Sequence, residues 1–294
     1  MKLLGNYKNG NYTVSIFSDG TKIRRTEEDE FKPAFSENCD IKITNYCDIG
    51  CPMCHEASCT TGKHADLNMK FLDTLHPFTE LALGGGSVLA HPDFVPFLEK
   101  LKEKKVIANI TVNQIHFEKS FEFLKELYDK DLFKGIGISL TNPNEEFIEK
   151  VKKFPTAVIH TINGLLTEED IENLVNKDLK ILILGYKTFR RGETHYINNK
   201  EEIESNKKFL YDNLPVIISK FKSVSFDNLA IKQLDVKRLM SDKEWENFYM
   251  GDDGNFTFYI DMVEKKFAKS SVSTKRYDIL DNIDEMFNIV RNEK

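Results

Sequence analysis

From residue 40 to residue 186 the chain alternates short apolar runs with amphipathic ones, and no other feature narrows its fold so far. DIKITN (40–45), TELALGGG (79–86), VIANITVN (106–113), GIGISLTN (135–142), TAVIHTIN (156–163) and KILILGY (180–186) have the length and β-branched content of strands. Between them MKFLDTLHPF, DFVPFLEKLKEKK, EKSFEFLKELYDK, NEEFIEKVKKF and TEEDIENLVNK carry apolar residues at helical spacing. A strand–helix–strand alternation implies a parallel sheet, because each crossover helix returns the chain to the same end. Six such units fall short of a closed eight-unit ring, so the expected fold is α/β, a partial (β/α)6 TIM-like barrel.

The flanks read differently. Residues 1–38 are expected to be a β-meander extension, since Asn9-Gly10 and Asp19-Gly20 are hairpin turns on either side of the alternating YTVSIFS. Residues 39–228 form the expected core. Residues 229–294 are expected to be a small appendage: NFTFYID and KFAKSS as a hairpin, then YDILDNIDEMFNIVRN as a final helix. Helix-period segments run from about residue 201 to 222, with Pro215 expected to break or kink them. GDDGN (251–255) reads as a turn before the hairpin.

Four of the five cysteines fall in one stretch after the first strand, NYCDIGCPMCHEASC (45–59). In parallel α/β barrels the loops after the strands carry the functional groups. The N-terminal MKLLGNYKNGNYTV shows no signal-peptide pattern, and no apolar run nears the roughly 20 residues of a membrane span. The expected location is therefore cytoplasmic, with no membrane partner, in a compartment that keeps thiols reduced. Clustered cysteines there indicate metal or redox chemistry. A formal net charge of −6 provides no global basic field, so general nucleic-acid binding is not expected. The spacing is Cys47-x3-Cys51-x2-Cys54, with Cys59 further on. Structural zinc usually takes four ligands in two close pairs. Three thiolates at this spacing instead suit a [4Fe–4S] cluster with one iron left open.

The Cys47-x3-Cys51-x2-Cys54 motif after a strand ending ITN resembles the radical S-adenosylmethionine (SAM) enzyme superfamily, over residues 40–228. The resemblance implies a [4Fe–4S] cluster held by Cys47, Cys51 and Cys54, with SAM on the open iron. SAM is then cleaved reductively to a 5′-deoxyadenosyl radical, which abstracts hydrogen from a substrate. It also implies a low-potential electron donor, a flavodoxin or ferredoxin, and oxygen sensitivity. LALGGGSVLAHPDF resembles the family's glycine-rich turn, so Gly84, Gly85, Gly86 and Ser87 are implied SAM contacts. Ser87 stands where the family most often has Glu. Met53, before the third cysteine, is implied to pack on adenine, and Asn113, Ser139 and Lys187 are further implied SAM contacts.

Several assignments stay open on sequence alone. Cys59 is a fourth cluster ligand, a hydrogen donor or an inert loop thiol, and Tyr186 is the other candidate catalytic donor. Cys39 reads as a small buried hydrophobe. His55 and Glu56 either support the cluster from behind or are solvated. Lys187, Arg190, Arg191 and His195 either bind an anion or form a solvated charge run. His160 either faces the barrel interior or sits satisfied in the core. The substrate is a peptide or a small anionic metabolite. Two other classes compete with the enzyme: a non-catalytic iron–sulfur electron-transfer or redox-sensing protein using Cys59 as fourth ligand, and a zinc-stabilised binding module.

Overall fold

The computed structural model describes residues 2–293. Strands β1 (Leu3–Asn9), β2 (Tyr12–Phe17) and β3 (Lys22–Arg25) form a separate antiparallel sheet in meander order. Its inner face buries Tyr12, Val14 and Ile16. Glu37, at the exit from this meander, is buried and takes two hydrogen bonds from the Arg24 guanidinium, at 2.7 and 2.8 Å. The Tyr12 hydroxyl donates a third, at 2.6 Å.

Burial alone would raise the Glu37 pKa, but the hydrogen bonds and charge of Arg24, with Lys22 nearby, outweigh it and hold the carboxyl below its usual range. A depressed folded-state pKa stabilises the fold above the unfolded value and loses that contribution as pH falls. Wild type is therefore expected to exceed Glu37→Gln in stability at pH 7. The gap should close as pH drops below the ordinary carboxyl value of 4.5, read by urea unfolding of both proteins across that range.

The second sheet holds β4 (Asn38–Thr44), β5 (Glu80–Gly85), β6 (Ile107–Asn113), β7 (Gly135–Ser139), β8 (Ala157–Ile162), β9 (Lys180–Leu184), β10 (Ser223–Phe226), β11 (Thr257–Asp261), β12 (Lys266–Ala268) and β13 (Tyr277–Asp278). Their order is β10-β9-β8-β7-β6-β5-β4-β11-β12-β13. Every pairing from β10 across to β11 is parallel, and β12 and β13 follow antiparallel. The helices are α1 (Phe94–Glu103), α2 (Gln114–Lys119), α3 (Phe121–Asp129), α4 (Glu145–Val151), α5 (Glu168–Leu174), α6 (Arg191–Asn198), α7 (Lys200–Ile218), α8 (Asn228–Leu234), α9 (Asp242–Phe248) and α10 (Ile283–Arg291).

Period-two alternation gives the sheet two unlike faces. Ile41, Ile43, Leu81, Leu83, Ile136, Ile138, Ile159, Ile181 and Ile183 are buried in one core with Leu98 and Leu101 of α1, Leu124 and Leu127 of α3 and Leu210 and Leu214 of α7. The opposite face presents Asp40, Lys42, Ala82, Asn109, Thr111, Gly137, Ser139, His160 and Leu182 to a cavity of about 1220 Å³.

The mostly parallel sheet is the expected one, with four differences of detail. Two further parallel strands lie beyond the six expected: β10 beside β9, and β11 beside β4. Ser223–Phe226 is too short to give a sequence signal, and β11 belongs to the tail's hairpin. The helix expected over residues 69–78 is only a 3-10 turn, Lys70–Thr74, because Pro77 disfavours helical backbone in the residues before it. The final helix begins at Ile283, where the Asn282 side chain caps it, leaving residues 277–278 as β13. Pro215 lies inside the continuous α7. Proline orphans the carbonyl four residues back, and Arg238 donates to that Tyr211 carbonyl at 2.6 Å.

Strand pairing does not close the parallel sheet into a ring. Side chains instead link its two flanks. Asn228, after β10, donates to Asp253 before β11 at 2.7 Å, and Lys187, after β9, donates to Ser271 beyond β12 at 3.0 Å. No helix among the described residues is long and apolar enough to cross a membrane.

Candidate active site

The thiol loop leaves β4 at the end of the cavity where β5 finishes in its glycines. Cys47, Cys51 and Cys54 all line the cavity and are partly buried. They lie close enough to influence one another: burial pushes the Cys51 thiol up, and Cys54 and Cys47 push it further. Cys59 is placed differently. Its backbone is tied to Cys47 and Asn45, donating to Asn45 O at 3.1 Å and accepting from Cys47 N at 3.0 Å. Its sulfur lies 3.3 Å from the Thr61 hydroxyl, and Cys59 is absent from the cavity wall.

Among the described residues, no group of three His, Cys, Asp or Glu side chains converges enough to hold a metal ion. A single zinc needs such convergence. A cluster differs in distributing its thiolates over separate irons.

The glycine turn is fitted against the same loop. Gly85 has φ +111°, a left-handed conformation that favours glycine, and a Cβ there would meet the Thr44 carbonyl oxygen at 2.3 Å. A Cβ on Gly86 would lie 2.1 Å from the Tyr46 carbonyl oxygen. Gly84 differs, since a Cβ there would enter open space within the cavity. Gly84→Ala is therefore expected to leave stability within about 0.5 kcal/mol of wild type while weakening SAM binding. Gly86→Ala should cost about 1–3 kcal/mol, as overpacking does. Denaturant unfolding and equilibrium dialysis with SAM check the pair.

Met53, Asn113, Ser139, Tyr186 and Lys187 also line the cavity. Asn113 additionally caps α2, accepting from Ile115 N at 2.9 Å. Ser87 is turned away: it is buried, its N–H donates to Tyr46 O at 2.7 Å, and it does not line the cavity. The Tyr186 hydroxyl donates to Gly192 O at 3.0 Å and sits 3.0 Å from His195 Nδ1. Cys39 is buried on the helix-packed face, and burial pushes its thiol up to about 12.

Behind the thiol loop lies a charge network in which the sequence had singled out His55, Glu56 and Lys187 but not Lys42, Tyr259 or Asp261. Glu56 is buried and accepts from Lys42 Nζ at 2.8 Å and from the Tyr259 hydroxyl at 3.0 Å. Lys42 also reaches Asp261 at 3.2 Å. His55 lies 3.4 Å from both Glu56 Oε1 and Lys187 Nζ. Burial alone would raise the Glu56 pKa, but His55 and Lys42 hold the carboxyl far below the usual range. A solvated Glu56 is thereby excluded. Lys42 alternates with buried isoleucines in DIKITN, and a lysine at the inward positions of such a strand was the available signal.

Arg190, which is exposed, and Arg191 are not part of the cavity wall. Arg190 donates to Glu56 O at 2.8 Å and Arg191 to Ser58 O at 2.9 Å, fastening the thiol loop to the start of α6.

Three solved structures of one protein share this architecture. Streptococcus suis SuiB bound to S-adenosylmethionine superposes with TM-score 0.54 at 12% identity, covering 89% of this chain and 69% of SuiB. SuiB bound to its precursor peptide SuiA gives 0.56 at 12% identity, over 90% and 68%. SuiB alone gives 0.54 at 14% identity, over 89% and 67%. The chain has the SuiB fold. No family model matches it, and no curated protein does. At such identities SuiB supports the fold of this chain alone, while the site rests on the chain's own residues.

Proposed function

We propose that this protein is a radical SAM enzyme acting on a peptide. The observation that carries the reading is that Cys47, Cys51 and Cys54 face one cavity with Gly84, Gly85 and Gly86, while Cys59 does not. Three thiols and no fourth suit a [4Fe–4S] cluster with an open iron. When bound, the cluster and SAM supply the electron and the 5′-deoxyadenosyl radical. The chain's own residues hold and shield them. The glycine turn gives close backbone approach, Met53 offers an apolar contact for adenine, and Asn113, Ser139 and Lys187 offer polar ones. The electron would come from a flavodoxin or ferredoxin. Residues 39–228 would carry the chemistry, flanked by the 1–38 and 229–294 extensions.

Two points favour a peptide over a small anionic metabolite. The cavity of about 1220 Å³ runs from the thiol loop to Asp19 and Gly20 of the N-terminal meander, leaving room for an extended substrate beside a cofactor. The arginines that would have recognised an anion are committed to loop carbonyls instead. The peptide carried by one SuiB structure points the same way.

The test is anaerobic reconstitution with iron and sulfide, then EPR of the reduced protein with and without SAM. A [4Fe–4S]+ signal that changes on adding SAM, with 5′-deoxyadenosine accumulating, is expected. A cluster blind to SAM would replace this reading with electron transfer, and bound zinc with no cluster would replace it with a zinc-stabilised module.

A further inference from the structure

His160 lies near the end of β8, on the cavity face. Its ring covers Gly137 of the neighbouring strand, where a Cβ would stand 2.2 Å from the ring carbon Cε1. The missing side chain at Gly137 makes the space that the imidazole fills. The half-buried ring makes no side-chain hydrogen bond among the described residues and faces the cavity. Its nitrogens are thus free to pair with water there or with a ligand group that displaces it.

The residues around it are uncharged. His160 pairs in register with Ser139 and Leu182, and Gly137 pairs with Thr111 and Val158. Burial pushes the imidazole down to about 4, with no neighbouring charge contributing. It is therefore neutral at working pH, with one ring nitrogen donating and the other accepting. Charged groups of the cavity wall on the strands and loops nearest to it are engaged away from the ring: Lys180, two residues before Leu182 on β9, donates to Pro155 O at 3.1 Å, and Asp170 accepts from the Thr167 hydroxyl at 2.8 Å. A carboxylate or ammonium brought to His160 would lose its water without gaining a counter-charge. An amide would lose its water and gain a partner.

We propose that His160 is a substrate-binding residue, holding an uncharged amide of the peptide, in the backbone or a carboxamide side chain. The assignment rests on the peptide reading above and narrows it to the chemistry recognised on the β6–β8 wall.

The test uses the full chain with its cluster reconstituted and oxidised, and histidines carrying ¹³C at Cε1. Of the seven histidine signals, that of His160 is the one missing from His160→Gln. N-methylacetamide is expected to shift it saturably, while acetate and methylammonium at equal concentration leave it in place. Gly137→Ala, which displaces the ring, should abolish the shift with the other histidine signals unmoved. A His160 signal indifferent to N-methylacetamide, or moved equally by acetate, overturns the proposal. A signal moved by SAM alone overturns it too, assigning His160 to the cofactor. 5′-Deoxyadenosine is measured on the same samples. If it forms while the signal stays inert to amide, the His160 assignment fails and the radical SAM reading stands.

Discussion

Cys51→Ala is expected to yield a folded protein that takes up no stable cluster and forms no 5′-deoxyadenosine above background. The fall should be at least about 100-fold, beyond the roughly 10–100-fold typical of losing an outer-shell partner of a metal site. Cys51 lies between Cys47 and Cys54 in a loop held at both ends by hydrogen bonds to the rest of the chain. Neither remaining thiol can move to replace it. Cys59→Ser is the informative companion. Its sulfur is directed at Thr61 and not into the cavity, so iron content, EPR signal and SAM cleavage should all match wild type. If Cys59→Ser instead lost the cluster, Cys59 would be a fourth ligand and the electron-transfer reading would prevail.

Lys42→Met is expected to destabilise the fold by about 3–5 kcal/mol, the range for removing one partner of a buried ion pair. The side chains of Lys42 and Asp261 are 2% and 1% exposed, and Glu56 completes the group. Methionine has nearly the right length and fills the space, so the loss comes from two buried carboxylates left without their shared cation. Lys70→Met supplies the contrast. Its partner Asp281 is as close, at 2.9 Å, but both side chains are largely in water, and no measurable change is expected. Urea unfolding of the three proteins at pH 7 reads the difference. Glu56 follows Cys54 by two residues and Lys42 lies on the strand that leads into the loop. Lys42→Met is therefore also expected to slow cluster uptake, measured as iron retained after desalting.

What the sequence made legible was whatever repeats or is dense. The alternation of Ile41 and Ile43 with Asp40 and Lys42 marks a strand whose faces meet different surroundings, and each later strand repeats the signal. The thiol spacing is a local pattern and needed no fold to be read. Long-range pairings were not legible. β10 is only four residues long, and β11 looks like half of a local hairpin because its antiparallel partner is close in sequence and its parallel partner β4 is far away. Ser87 matched a motif by position, yet its backbone turns it from the cavity. Arg190 and Arg191 looked like an anion site because charge is visible in a sequence and the carbonyls that occupy it are not. His160 was ambiguous for the same reason: what a histidine touches depends on Gly137, which carries no mark of its own.

The pairing of β11 with β4 bears on how such a protein is made. The strand that presents the thiols is flanked by β5 on one side and on the other by Thr257–Asp261, which a ribosome makes more than two hundred residues later. Until then β4 is an uncovered edge, and Lys42 has no Asp261. A nascent chain thus emerges with its cysteines on a half-built sheet, and contacts of such long sequence separation form slowly. For the proposed cluster, iron and sulfide are expected to load best after release from the ribosome, once the last strands have locked β4 in place. An expression host that delivers them early meets a loop still without its support.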